Sequence, residues 1–87
     1  MKLASLKEGG RDGTLIVVSR DLGRAVKATG IAPTLQRALE DWDSVAPRLN
    51  AVSDVLNGST ADTVNGEAVF ALDPLLLASP LPRAYEF

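Results

Sequence analysis

The chain of 87 residues contains neither histidine nor cysteine. Without cysteine there is no disulfide framework, no thiolate metal site and no cysteine nucleophile, a composition that fits a reducing cytoplasm. Without histidine, no triad of serine, histidine and aspartate can form inside the chain. These two absences indicate that chemistry connected with this sequence is carried out elsewhere.

Aromatic residues, long apolar runs and an excess of one charge are also lacking. Aromatics make up 5% of the chain, so its 46% hydrophobic residues predict an aliphatic core. The longest apolar runs, Leu15–Val18 and Pro74–Ala78, are far shorter than the ~20 residues of a membrane-spanning helix, and no signal peptide is recognisable. The net charge of −2 comes from interspersed charges without a basic stripe. We therefore expect a cytoplasmic protein with no membrane and no nucleic-acid partner.

Short alternating segments and turn residues predict an antiparallel β-meander. Asp21-Leu22-Gly23-Arg24 reads as a tight turn, and Ser59–Gly66 reads as a polar loop that ends in the turn dipeptide Asn65-Gly66. Leu15–Val18 is apolar on both faces, which is typical of a buried central strand or of a strand with one face against a partner. The predicted strands are Lys2–Lys7, Thr14–Ser19, Arg24–Thr29 and Glu67–Leu72.

Helical spacing occupies the middle of the chain. Thr34 is a favourable N-cap for a first helix over Thr34–Asp41, and a second helix is expected over Asp43–Asn57, with Pro47 in its first turn. Asp73-Pro74 predicts one short helical turn through Ala78. The expected fold class is α+β, a small antiparallel meander of three to four strands with two helices packed on the sheet.

Two motifs resemble binding or catalytic sites, but their positions between the predicted strands and helices favour structural roles. Gly9-Gly10-Arg11-Asp12-Gly13 suggests a phosphate-binding loop, but such loops join a strand to a helix, and this one joins two strands. Glu40, Asp41 and Asp43 form the one acidic cluster and are candidates for metal binding or acid–base catalysis. They bracket a helix boundary, where acidic residues serve as caps, so we favour a solvated helix junction.

Three further features have a structural and a functional interpretation. Trp42 is a core or half-buried edge residue, or else a partner hot spot. Asn57-Gly58-Ser59 matches a glycosylation pattern but is interpreted as a helix C-cap. Asp73 and Arg83 are the best-placed polar residues near the C-terminus, and capping and solubility are their favoured roles. The composition also allows a serine nucleophile activated by a lysine, but no sequence pattern pairs a serine with a lysine. The serines are Ser19, Ser44 and Ser53, and the lysines are Lys2, Lys7 and Lys27.

The order of these elements resembles the N-terminal domain of the bacterial branch of the fumarylacetoacetate hydrolase family. The similarity extends over essentially the whole chain and is most specific at Pro80-Leu81-Pro82-Arg83, where this family joins its small domain to a catalytic domain. The other segments that carry it are Met1-Lys2-Leu3-Ala4-Ser5-Leu6, Gly9–Gly13, Thr14-Leu15-Ile16-Val17-Val18-Ser19-Arg20-Asp21, Leu35-Gln36-Arg37-Ala38-Leu39-Glu40-Asp41-Trp42 and Leu77-Ala78-Ser79-Pro80-Leu81-Pro82-Arg83-Ala84-Tyr85.

The resemblance implies an accessory domain over residues 1–78 and a truncated linker over 79–87, which leads to a catalytic domain that is not in this chain. The family hydrolyses a carbon–carbon bond in a diketo acid, with relatives that act as hydratases, decarboxylases or isomerases of 2-oxo acids, and it uses magnesium or calcium. No position in this chain matches a catalytic, cofactor-binding or metal motif of the family. We expect the chain alone to be non-catalytic and to form a homo-oligomer through exposed apolar surface. The alternative is a free-standing interaction module that binds a partner through residues 75–87, and a small enzyme in its own right is a third reading.

Overall fold

The computed structural model describes residues 1–7, 13–78 and 83–84. The fold is α+β, as the sequence predicts. In chain order the elements are β1 (Lys2–Leu6), β2 (Thr14–Val18), β3 (Arg24–Lys27), α1 (Leu35–Glu40), α2 (Trp42–Gly58), β4 (Thr63–Val64), β5 (Glu67–Ala71), a 3₁₀ helix (Pro74–Leu76) and β6 (Arg83–Ala84). Within the described residues, six strands form one antiparallel sheet in the order β4-β5-β3-β2-β1-β6.

Strand β2 lies at the centre of the sheet and is buried on both faces. All five of its residues are buried, and it pairs with β1 on one side and with β3 on the other. Alternate side chains point to opposite faces of a strand. The prediction of a buried central strand for Leu15–Val18 is therefore confirmed, and each face of β2 needs its own apolar cover.

The two helices supply the cover for one face of the sheet. Leu15 and Val17 of β2 belong to one core cluster with Leu49 and Leu56 of α2, and all four are fully buried. Trp42 packs against the edge of this helix-side core. The remaining buried members are Leu3, Val26, Ala28, Ala32, Ala38, Val45, Val52 and Val64.

Among the described residues, the far side of the sheet has a second apolar core that contains no α-helical residue. Its cover includes Leu77, which turns inward and is 3% exposed, whereas Leu75 two residues earlier is 82% exposed. Phe70 and Leu72 pack against the same core and are partly buried. The buried members of this far-side core are Ala4, Leu6, Ile16, Val18, Ala25 and Leu77.

The helices begin and end close to the predicted residues, with two corrections. Thr34 caps α1 as predicted, because its hydroxyl accepts the N–H of Arg37 at 3.1 Å. Asp41, rather than Asp43, is the cap residue of α2, so the second helix starts earlier than expected. Pro47 consequently lies inside the helix, in its second turn, and not in the first turn. Its missing N–H leaves the carbonyl of Asp43, an exposed residue, without a helical donor.

The two strands that the sequence pattern missed are each two residues long. Thr63–Val64 pairs with β5 inside the segment interpreted as a polar loop, across a turn in which Asn65 and Gly66 both have positive φ, 55° and 81°. That geometry is typical of a type I′ hairpin and confirms Asn65-Gly66 as a turn dipeptide. The strand count is therefore higher than the three to four expected, because pairs this short leave no periodicity to read.

The glycine-rich segment between β1 and β2 joins two antiparallel strands, as predicted, because Leu6 pairs with Thr14. Gly13 has φ 71°, and a Cβ there would lie 2.5 Å from the carbonyl oxygen of Leu6. Only glycine fits this position without a shift of the backbone. The interpretation of Gly9–Gly13 as a hairpin connection is supported at its described end, and residues 8–12 lie outside the described ranges.

The outer edge of β1 is covered by the C-terminal segment. The N–H of Lys7 donates to the carbonyl of Leu76 and the N–H of Ala78 donates to that of Ser5, each at 2.7 Å. Further along, Arg83 pairs with Leu3 and Ala84 with Lys2. The division into a domain at 1–78 and a linker at 79–87 stays a prediction, although two residues of the latter segment extend the sheet. No helix among the described residues is long and apolar enough to cross a membrane.

The contrast between Leu77 and Leu75 gives a direct test of the far-side core. We expect Leu77→Ala to lower the free energy of unfolding by about 2–4 kcal/mol, because it opens a cavity under a buried side chain. Leu75→Ala is the matched control and should change it by less than about 0.5 kcal/mol. Urea unfolding followed by circular dichroism measures both, and equal effects of the two substitutions would contradict this packing.

Candidate interaction surface

A shallow hollow of about 230 Å³ opens on the far side of the sheet. Its lining comes from four elements, namely β1 with the residue that follows it, β3, β5 and the 3₁₀ helix. The residues that line it are Leu6, Lys7, Lys27, Phe70 and Leu76. The lining of the hollow thus combines three apolar side chains with two lysines.

The 3₁₀ helix carries two exposed leucines, of which Leu76 lines this hollow. Asp73 caps the turn, because its carboxylate accepts the N–H of Leu75 at 3.0 Å, and Pro74 occupies the first helical position. Leu77 is buried directly after the turn. Leu75 and Leu76 are therefore presented outward, 82% and 52% exposed. The predicted capping role of Asp73 is confirmed.

We call Leu75, Leu76 and the lining of the hollow the leucine surface. Burial of a leucine side chain contributes about 1.5–3 kcal/mol, so two ordered exposed leucines offer a substantial driving force for association. Because the turn is capped and tied to β1 by backbone hydrogen bonds, little conformational entropy is lost when a partner binds. The arrangement suits an apolar partner surface, and the exposed Lys7 adds positive charge beside it.

The opposite end of the sheet is organised by a polar network in the turn between β2 and β3. The hydroxyl of Ser19, a residue 2% exposed, donates to the carboxylate of Asp21 at 2.6 Å and accepts the N–H of Arg24 at 2.9 Å. The N–H of Gly23 donates to the same carboxylate oxygen at 2.9 Å. The Ser19 hydroxyl, followed by the Gly23 N–H, lowers the pKa of Asp21 from its ordinary value of 3.8.

This turn is also joined to the C-terminal end of α2. The guanidinium of Arg24 donates to the carbonyls of Leu56 and Ser59, at 2.6 and 3.1 Å. The last carbonyls of a helix have no partner within the helix, and a cation there also opposes the helix dipole. Arg24 therefore acts as a tertiary C-cap that fixes α2 against the sheet.

Asn57 takes part in the same connection between helix and turn. Its side-chain oxygen accepts the N–H of Arg20 at 2.7 Å, and its amide nitrogen donates to the carbonyl and hydroxyl of Ser53 at 2.9 and 3.2 Å. The side chain has a structural role, as favoured over glycosylation. The expected stop at Asn57-Gly58 differs in detail, because Gly58 is the last helical residue and Ser59 is the C-cap.

The acidic cluster does not converge on a site. Glu40, Asp41 and Asp43 are all exposed, and Glu40 accepts a hydrogen bond from the amide of Gln36 at 3.3 Å. Across the described ranges, no group of three or more acidic side chains is placed to hold a metal ion. Trp42 is half-buried at the edge of the helix-side core, as the favoured interpretation predicted.

The candidate nucleophilic serines are dispersed. Ser19 and Ser53 are buried and use their hydroxyls in the turn and helix contacts described above, whereas Ser44 is exposed on α2. Lys2 donates to the carbonyl of Arg20 at 3.3 Å rather than to a serine. Arg83 is placed by its backbone pairing with Leu3.

The sequence pattern located the apolar C-terminal segment but not the surface that it helps to form. The contributions of Lys27 and Phe70 depend on the pairing of β3 with β5, which no local pattern reveals. The predicted tight turn at Asp21-Leu22-Gly23-Arg24 gave the position of the polar network but not its hydrogen bonds. The hydroxyl of Ser19, two residues before Asp21, is the signal that would have located its carboxylate contact.

Comparison with known proteins gives one match that bears on this geometry. A family model described as fumarylacetoacetase N-terminal domain 2 matches residues 1–83. A search of curated proteins finds no match.

The lowered pKa of Asp21 predicts a pH-dependent contribution to stability. Because the carboxylate binds its proton less readily in the folded state than in the unfolded state, its contribution is complete above about pH 4 and is lost as the pH falls through the folded-state pKa. We expect Asp21→Asn to be less stable than the wild type at pH 7, with a difference that shrinks below pH 3.8. Urea unfolding at several pH values measures this difference. A difference independent of pH would contradict the assignment.

Proposed function

This chain belongs to the fumarylacetoacetase N-terminal domain family, and from that premise we propose that it is a structural accessory domain that docks on a catalytic domain through the leucine surface. We call the longer protein that contains both domains the parent protein. The single observation that carries the proposal is the ordered exposure of Leu75 and Leu76, on a capped turn anchored by buried Leu77. The largest apolar patch on the surface of a monomer is often functional.

The chemistry of the parent protein is assigned to its catalytic domain. We propose that the parent hydrolyses a carbon–carbon bond in a diketo acid, or catalyses a related hydratase or decarboxylase reaction of 2-oxo acids, in the cytoplasm. The described residues of this chain do not fit the magnesium or calcium ion that such a reaction uses, because no group of acidic side chains converges among them. The metal is therefore assigned to the catalytic domain as well.

The proposed structural role follows from how the leucine surface is built. The hollow brings together residues of β1, β3, β5 and the 3₁₀ helix, so a partner that fills it contacts four elements at once. Lys7, an exposed residue in the lining of the hollow, favours a partner with an acidic residue beside an apolar centre. Such a contact would fix the orientation of the small domain relative to the catalytic domain.

Without its catalytic domain, the 87-residue chain is expected to self-associate through the leucine surface. We expect sedimentation velocity at high concentration to detect a homo-oligomer, and Leu75→Glu to shift the distribution to monomer. Leu39→Glu is a matched control, because Leu39 is 46% exposed on α1 and lies outside the leucine surface. A strictly monomeric wild type, or an equal effect of the two substitutions, would count against the proposed surface.

The assignment of chemistry to the catalytic domain predicts an activity difference. The parent protein should cleave a diketo acid with added magnesium, and the 87-residue chain should show no turnover under the same conditions, since it has no histidine and no converging acidic group in its described part. Loss of substrate absorbance measures both rates. Turnover by the 87-residue chain would overturn the structural role, and a saturable partner unrelated to a catalytic domain would favour an interaction module.

A further inference from the structure

A polar cleft of about 300 Å³ lies between α2 and the end of the sheet at which β1 begins. The turn that follows β2 forms one wall, and the C-terminal half of α2 forms the other. We call it the polar cleft, and its lining residues are Met1, Lys2, Val18, Arg20, Asn50, Ser53, Asp54 and Asn57. It is separate from the leucine surface, with which it shares no residue.

Arg20 is positioned at this cleft through its backbone, while its side chain stays available. Its N–H donates to Asn57 at 2.7 Å, and its carbonyl accepts from the ammonium of Lys2 at 3.3 Å. Its guanidinium has no hydrogen bond or ion pair with any residue in the described ranges. A fixed backbone with an available guanidinium is a suitable arrangement for binding a carboxylate, which arginine contacts through two parallel hydrogen bonds.

The charges around the polar cleft indicate which ligand it prefers. The side chains of Lys2 and Arg20 carry two positive charges, and Asp54 on the α2 wall carries one negative charge. The lining side chains thus leave a net positive charge. Asn50 adds an amide that both donates and accepts hydrogen bonds. A single acidic side chain fits this environment better than a cation or an apolar group.

The direction of the chain brings a continuing polypeptide to the same place. Ala84 pairs with Lys2, so β6 ends beside the first residue of β1, which lines the polar cleft. At about 3.6 Å per residue, residue 88 of a longer chain lies within about 14 Å of Ala84. The leucine surface starts at Leu6, about 13 Å from Lys2 along the strand. The leucine surface opens on the far side of the sheet, whereas α2 lies on the helix side, so a domain that contacts both places has to lie across the edge of the sheet formed by β6. A domain with a radius of gyration of about 13 Å or more is large enough to do so.

We propose that the polar cleft is a second docking point for the catalytic domain, and that it receives an acidic side chain of that domain between Arg20 and Lys2. This inference rests on the proposed function, because it requires a catalytic domain attached after this one. The leucine surface supplies apolar burial, whereas the polar cleft determines orientation through a charge pair.

Hydrogen exchange of the backbone amides tests the proposal in the parent protein. Within residues 20–24, the amides of Arg20, Leu22, Gly23 and Arg24 donate hydrogen bonds in the turn network, so their exchange reports on this end of the sheet. We expect them to exchange more slowly in the parent protein than in the 87-residue chain. Arg20→Glu and the milder Arg20→Gln should raise their exchange in the parent about two- to fivefold, the range expected for loss of an exposed ion pair.

Arg48→Glu is the matched control, because Arg48 is also exposed, has no side-chain partner in the described ranges and lines a different cleft on α2. It should leave the exchange of residues 20–24 unchanged. Unchanged urea midpoints of the Arg20 variants in the 87-residue chain would show that the fold is intact. Equal exchange of residues 20–24 in parent and chain, with Leu75–Leu77 still protected in the parent, would overturn the polar cleft alone. Equal exchange at both places would overturn the proposed function itself.

Discussion

The burial of β2 on both faces is the constraint on which the rest of this fold depends. A strand whose five residues are all buried needs apolar cover on two sides, and an 87-residue chain has little material for the second cover. The helices cover one face with Leu49 and Leu56. On the other face Leu77 forms part of the apolar cover. Its burial explains why an apolar segment follows the last long strand.

The unequal thickness of the two covers accounts for the difference in apolar exposure between the two sides of the sheet. The helix-side cover is deep and is fixed at its end by Arg24, whose guanidinium binds the last carbonyls of α2. The described cover on the far side includes a turn of only three helical residues. Leu77 directly after this turn is buried, whereas Leu75 and Leu76 within it stay exposed.

Much of the fold could be predicted from local chemistry, and the errors have a common physical origin. Thr34 and Asp73 were identified as caps because their side chains bond within three residues, and Asn65-Gly66 was identified because both residues adopt positive φ. The start of α2 was misplaced, since Asp41 caps it without a side-chain hydrogen bond that a pattern could reveal. The short strands β4 and β6 depend on their partners, so they leave no signal of their own.

The sequence by itself excluded catalysis or metal binding by histidine or cysteine side chains of this chain, because it contains neither residue. It also determined that the central strand is apolar on both faces and that the C-terminal segment is apolar. These properties follow from composition and from periods of two and 3.6 residues. Only the tertiary structure decided which leucine of that segment is buried, which residues line the leucine surface, and that Arg20, Lys2 and α2 enclose a polar cleft. Those outcomes depend on pairing between residues far apart in the chain, such as Leu6 with Leu77 and Lys2 with Ala84, which no local pattern encodes.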